Sequence, residues 1–185
     1  DTASVSVTEP DLLQVNSINP QNISCYDSAN GELEALIIGG TPGYAYTWID
    51  AAANIVASTQ TATNLIPGNY SLSVTDTNGC PPAVSLPVAI TQPDSLYISA
   101  LTFTAVLCNG DSTGTANVLA TGGTPNYSYA WSSGSSMYVA PNLIAGNYTI
   151  QISDDNGCSR DSSIVVTEPN ALSTTLSMDS VSCIG

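Results

Sequence analysis

The sequence predicts an all-β protein built from tandem β-sandwiches. Three observations carry that expectation. One block of motifs occurs twice, apolar residues inside each block alternate with a period of two, and Gly, Pro, Asn and Asp clusters interrupt these runs at short intervals.

The repeat sets the organisation. Gly39-Gly40-Thr41-Pro42 returns as Gly122-Gly123-Thr124-Pro125, and each copy leads into a tyrosine pair and a tryptophan: Tyr44, Tyr46 and Trp48, then Tyr127, Tyr129 and Trp131. Gly68-Asn69-Tyr70 returns as Gly146-Asn147-Tyr148, and Asn78-Gly79-Cys80 as Asn156-Gly157-Cys158. Thr8-Glu9-Pro10 returns as Thr91-Gln92-Pro93 and as Thr167-Glu168-Pro169, while Cys25, Cys108 and Cys183 share one phase. Two whole repeats are therefore expected, at 11–93 and 94–169. Residues 1–10 match the last strand of a preceding copy, and 170–185 the first strand of a following, truncated one. The sequence reads as an internal window from a longer array.

Within a repeat, each strand has one core face. Leu33, Ala35 and Ile37 share a face, matched by Ala116, Val118 and Ala120. Tyr44, Tyr46 and Trp48 share another. Tyr70, Leu72 and Val74 form a third, repeated by Tyr148, Ile150 and Ile152. The opening strands place Leu13 with Val15 and Leu96 with Ile98. No stretch carries a helical stripe, so two sandwiches of roughly seven strands each follow. The Cys…Trp…Cys order and the late Gly-x-Tyr strand resemble an immunoglobulin sandwich. The spacing departs from it, because Cys80 falls beyond the end of the Tyr70 strand. A bridge there is expected to staple loops at one end of the sandwich instead of crossing its centre.

Composition excludes several functions. There is no His or Lys, the one cation is Arg160, and fifteen carboxylates bring the formal net charge to −14. Such a chain repels phosphate backbones and anionic headgroups, so neither nucleic-acid binding nor electrostatic membrane docking is expected. No apolar run approaches the roughly 18 residues of a membrane helix. Without His or Lys, a Ser–His nucleophile and lysine chemistry are both excluded, and no enzyme is expected. Glu32 and Glu34 read as the solvated side of a half-buried strand.

The five cysteines sort by phase into Cys25–Cys80, Cys108–Cys158 and a lone Cys183. Zinc is disfavoured by the lack of His and of CxxC spacing. Two loop-stapling disulfides, one per repeat, imply an oxidising, extracellular location. No cofactor is expected. Structural calcium is the alternative, from the oxygen-rich Asp27, Asn30, Asp76, Asn78, Asp111, Asp154 and Asp155, though no spaced D-x-D-x-D loop is present. Trp48 and Trp131 read as core residues, with sugar binding as the other use of such aromatics. Tyr26, Tyr97 and Tyr138 fall at non-equivalent positions and are expected on the surface.

Taken whole, the recurring pattern resembles the SprB-type repeat of very long Bacteroidota cell-surface proteins. Cys25, Gly39–Pro42, Trp48, Gly68–Tyr70 and Asn78–Cys80 carry it in the first copy. Cys108, Gly122–Pro125, Trp131, Gly146–Tyr148 and Asn156–Cys158 carry it in the second. The resemblance implies a surface adhesin or filament exported by the type IX system, in some members moved by the gliding machinery. It also implies a lineage that O-glycosylates Asp-Ser/Thr triplets. Here these are Thr2, Ser28, Ser95, Ser112 and Ser180, for which turn chemistry is an equal reading.

The expected function is thus a structural and adhesive extracellular segment, forming a stiff stalk or filament. Its partners are neighbouring repeats, with self-assembly into fibres open. Prolines at Pro10, Pro93 and Pro169, without Gly/Ser linkers, favour a defined angle between repeats. A module that binds carbohydrate or another surface through its loop tips is the rival.

Overall fold

A computed structural model describes residues 8–178, and among them it forms fourteen strands and no helix. In chain order these are β1 (Gln14–Gln21), β2 (Gly31–Ile38), β3 (Ala45–Asp50), β4 (Ile55–Ala57), β5 (Thr61–Leu65), β6 (Gly68–Thr75), β7 (Ala83–Val84) and β8 (Val88–Ile90). They continue as β9 (Tyr97–Thr104), β10 (Gly114–Thr121), β11 (Ser128–Trp131), β12 (Val139–Leu143), β13 (Gly146–Ser153) and β14 (Ser159–Val166). Residues 8–10 and 171–178 lie in no strand. The chain divides into two compact units. The first runs to Ser95 and includes Gly122–Thr124 and Asn156–Cys158; the second holds Leu96–Thr121, Pro125–Asp155 and the chain from Ser159 onward.

In the first unit, one antiparallel sheet has the order β1-β2-β5, and the other runs β4-β3-β6 with both β7 and β8 paired to β6. The core lies between them. Leu33 and Ala35 of β2 and Ala62 and Leu65 of β5 meet Trp48 of β3 and Tyr70, Leu72 and Val74 of β6. The second unit repeats this with β12-β10-β9 against β11-β13-β14. There Ala116, Val118, Ala140 and Leu143 meet Trp131, Ile150, Ile152 and Val166. These are the faces that the period-two pattern specifies, because alternate residues of a strand point to the same side.

Each tryptophan is sealed in its core. Trp48 is fully buried and its Nε1–H donates to Thr59 O at 2.9 Å; Trp131 donates to Met137 O at the same distance. The bond satisfies the indole's single donor, which would otherwise be costly to bury. A tyrosine hydroxyl likewise ties each late strand to the turn before it, Tyr70 to Ile66 O at 2.9 Å and Tyr148 to Ile144 O at 3.1 Å.

Local departures from strict alternation have identifiable causes. A bulge lies between Val15 and Ser17 in β1, and the equivalent one in β9 lies opposite Leu119 and Ala120. One extra residue inverts the alternation, so Val15 and then Ile18 lean on the first core, as Ile98 and Leu101 do on the second. The last strand of the first repeat is split into β7 and β8 around Pro87, and Pro81 and Pro82 precede it, since proline cannot donate to the ladder. The same region of the second repeat has no proline and forms one eight-residue strand, β14. The shorter segment after Trp131 also leaves no counterpart of β4. Eight and six strands result, where seven in each are expected from the sequence.

Gly31 and Gly114 begin β2 and β10 where the two sheets close. A Cβ on Gly31 would stand 2.7 Å from Ile90 Cγ2 and 2.9 Å from Leu65 O; on Gly114 it would stand 2.8 Å from Leu143 O. Gly31→Ala and Gly114→Ala should each cost about 1–3 kcal/mol, because backbone and core atoms must shift. Tyr70→Phe should cost about 1 kcal/mol through its lost hydrogen bond. Urea unfolding of the single variants measures both effects.

Candidate functional site

The distinctive chemistry of the chain lies in its cysteine turns, and strand geometry decides which of them can meet. Ile23 N–H bonds Thr91 O at 2.9 Å, just beyond the Gly68–Ile90 end of the β6–β8 ladder. Cys25 follows two residues later, so it lies at that end of the first sandwich. Cys80 follows the opposite end of β6, past Thr75. At about 3.3 Å per residue, eight residues of β6 separate those ends by more than about 20 Å. A disulfide needs Cα atoms within about 7 Å. The expected Cys25–Cys80 pairing is therefore wrong, and the expected Cys108–Cys158 pairing falls with it.

The structure instead bridges Cys25 to Cys158, with Cα atoms 5.7 Å apart across a sequence separation of 133; Cys80 and Cys108 are free thiols. Both bridged residues belong to the first unit, which includes the Asn156–Cys158 turn. The Cys25 turn is fixed locally: Ser28 N–H bonds Cys25 O at 3.1 Å, and Asp27, in the left-handed region at φ 61°, donates its N–H to Gln92 Oε1 at 3.0 Å. From the other side, Asn156 Nδ2 donates to Ser24 O at 3.0 Å and to Thr124 Oγ1 at 2.9 Å. Cys158 Sγ touches Ser24 O at 3.4 Å. Covalent and amide contacts thus converge on one short turn.

The free cysteines sit in turns of the same two kinds. At Cys80, the Asp76 carboxylate accepts N–H bonds from Thr41 at 3.0 Å and from Asn78 and Cys80 at 3.1 Å each. The Thr41 N–H foremost, with those of Cys80 and Asn78, holds the Asp76 carboxyl below the usual carboxylate range despite its burial. Partial burial and the negative Asp76 push the Cys80 thiol up. Gly39 and Gly40 approach this turn with φ of 68° and 66°, and a Cβ on Gly39 would run into the Leu12 carbonyl. At Cys108, Asp111 N–H bonds Cys108 O at 3.1 Å, and Glu168 takes the Gly110 N–H at 2.7 Å and Asn109 Nδ2 at 3.0 Å. Gln92 and Glu168 are the functional residues that sequence reasoning missed. Their recurrence in Thr-Glu/Gln-Pro was the available signal, since each accepts an N–H from the cysteine turn of its own repeat.

The other residues singled out by sequence fall as follows. Ser28 and Ser95 are half-buried and Ser112 is exposed, its N–H bonded to Asp111 Oδ1 at 2.8 Å. Thr2, Ser180 and Cys183 lie outside the described residues. Tyr26, Tyr97 and Tyr138 are all more than half exposed, whereas both tryptophans are buried out of reach of a sugar. Among the described residues, no three carboxylate or cysteine side chains gather where a metal ion could be held.

Strand order now defines the class. Lettered by position, the first unit is A-B-E packed on C′-C-F-G, and the second is A-B-E packed on C-F-G, each with a buried tryptophan on C and a tyrosine corner on F. This is a tandem immunoglobulin-like β-sandwich protein. Residues 17–53 and 100–136 each match the SprB repeat family, the expected one. No curated protein matches the chain. Among solved structures it is similar to three N-terminal domains of the bacteriophage RB49 highly immunogenic outer capsid protein, at 17% identity and TM-score 0.49, covering 85% of this chain and 59% of that one. It is also similar to a C-terminal fragment of intimin in complex with the intimin-binding domain of its translocated receptor, at 13% identity and TM-score 0.43, covering 83% and 64%. Immunoglobulin domains 1–5 of Sidekick-1 give 14% and 0.43, covering 88% and 40%. The chain thus spans less than two thirds of the length of each.

Alkylation of the unfolded, unreduced protein should label Cys80 and Cys108 and leave Cys25 and Cys158 unlabelled. Labelling of all four, or of none, would contradict the observed bridge. Cys158→Ser should lower stability by up to about 5 kcal/mol, the chain-entropy value for so long a loop. Because the folded Asp76 carboxyl titrates below its unfolded value near 3.9, its contribution is complete above about pH 4 and is lost as pH falls through the folded value. Asp76→Asn should flatten that acid limb in melts recorded from pH 6 to pH 2.

Proposed function

We propose that the chain is a structural and adhesive segment of an extracellular cell-surface protein, in which sandwiches arranged in series form a stiff stalk or filament. The observation that carries this reading is the pair of sandwiches built to one pattern, with cysteine turns bridged between Cys25 and Cys158. A disulfide of this kind persists in an oxidising compartment, which supports an extracellular location. A non-catalytic role is supported by the lack of His and Lys in the sequence, and of the two buried carboxylates among the described residues, Asp76 and Asp154, the first accepts three backbone N–H groups. Proline junctions without Gly/Ser linkers support stiffness.

The SprB match extends the reading to export by the type IX route and, in a gliding cell, to transport along the surface. Ser112 is the most accessible described candidate for O-glycosylation. Neighbouring repeats are the first partners, and glycans on a facing surface are candidate ligands for the loop tips. Electron microscopy of native material should show fibres or tethers at the cell surface, and dispersed monomers would overturn the stalk. Strong binding of the chain to a glycan array, without fibres, would favour the recognition module. An intact mass equal to that of the polypeptide would dismiss glycosylation.

A further inference from the structure

We infer that Cys108 and Cys80 are the two halves of a further bridge of the Cys25–Cys158 kind, made between successive copies of this repeat. The cysteines would then link each repeat to the next instead of closing any repeat on itself. The inference rests on the array reading above and names the partner: another copy of the same repeat, joined head to tail.

Phase and local structure agree on this assignment. Cys108 occupies the position of Cys25, and its turn is already held in the same way. Asp111 N–H bonds Cys108 O as Ser28 N–H bonds Cys25 O, and Gly110 N–H bonds Glu168 as Asp27 N–H bonds Gln92. Cys80 occupies the position of Cys158. Asn78 donates one amide hydrogen to Thr41 Oγ1 at 2.7 Å, as Asn156 does to Thr124 Oγ1. Asn156 gives a second to Ser24 O, the carbonyl just before the bridged cysteine. The second amide hydrogen of Asn78 has no such partner among the described residues, and Leu107 O of an incoming copy is its equivalent acceptor.

Each free cysteine also lines a hollow. Cys80 lines one of about 390 Å³ with Pro10, Leu12, Leu13 and Pro81. Cys108 lines one of about 660 Å³ with Leu107, Pro169 and Leu172. Leu12 and Leu107 are about three-quarters exposed, and Leu172 is almost wholly so. At the bridged pair, the positions equivalent to Leu12 and Leu107 are Ser95 and Ser24. The two hollows thus present the complementary halves of a contact that the chain already makes once, each with an apolar residue left uncovered.

The chemistry balances with a disulfide oxidant such as oxidised glutathione. The thiolate of one cysteine attacks the oxidant and releases one thiol. The second cysteine then attacks the mixed disulfide and releases the other. Two protein thiols are oxidised to one disulfide, one oxidant disulfide is reduced to two thiols, and the protons of the protein thiols end on the products.

The test joins two copies in phase: residues 1–169 followed directly by 11–185, so that Pro169 meets Asp11 as Pro10 does. After folding in a glutathione redox buffer, disulfides are mapped by mass spectrometry of the unreduced digest. The expected result is Cys108 of the leading copy bridged to Cys80 of the following copy, with Cys25–Cys158 kept in both. Cys108→Ser in the leading copy should return the following Cys80 to full reactivity while Cys25–Cys158 persists. Cys25–Cys80 or Cys108–Cys158 pairs within a repeat overturn the inference. So do free thiols at both positions in a tandem whose buried tryptophan fluorescence shows folded sandwiches. Fibres in native material without this bridge would sink the inference alone, and the bridge without fibres would sink the stalk alone.

Discussion

A strand of eight residues is longer than a disulfide can span, and this constraint organises the molecule. Each repeat carries one cysteine in a turn near the start of its long F-type strand and one beyond its end. The hydrogen-bond ladder holds those turns apart, so the thiols of one sandwich cannot find each other. Cys25 reaches instead the Asn-Gly-Cys turn supplied by residues 156–158. Immunoglobulin domains of antibodies solve the same problem differently, by placing both cysteines inside strands that face across the core. Here tryptophan and aliphatic side chains fill that space without a bridge, and covalent chemistry is moved to the ends.

Around that constraint the cores are self-sufficient. Each tryptophan is buried with its donor satisfied, each corner tyrosine is tied back to its own turn, and the alternating residues of both sheets interdigitate. The polar turns carry hydrogen bonds of their own. At Asp76 a single carboxylate organises three backbone donors and brings the Thr41 turn to the Cys80 turn. Arg160, the one cation, donates its Nε–H to Leu96 O at 2.9 Å. A surface dominated by neutral hydroxyls and amides keeps such an acidic chain from depending on ion pairing.

Much of this was legible in the sequence alone. Period-two alternation named Leu33, Ala35, Leu72, Val74, Val118, Ile150 and Ile152, because burying one strand face is the main driving force of such a fold and leaves a direct mark on sequence. Repetition exposed the module. What stayed hidden were features that depend on register. The bulges of β1 and β9 insert one residue and leave no compositional trace. The split of β7 from β8 was written in Pro81, Pro82 and Pro87, yet its contrast with the continuous β14 needed the ladder to be seen. The cysteine pairing failed for a related reason: phase reports which positions are equivalent, and says nothing of which end of a strand they occupy. Glu and Gln at 168 and 92 looked like punctuation before proline and prove to be acceptors for the cysteine turns.

The long covalent loop has a mechanical consequence. Force applied along the backbone passes from Cys25 to Cys158 through one sulfur–sulfur bond. The 133 positions of separation between them are excluded from the load path. At about 3.4 Å per extended residue, roughly 450 Å of contour length stays hidden while that bond is intact. Tension can then peel only what lies outside the loop, and the chain between the two cysteines stays slack until the bond meets a reductant.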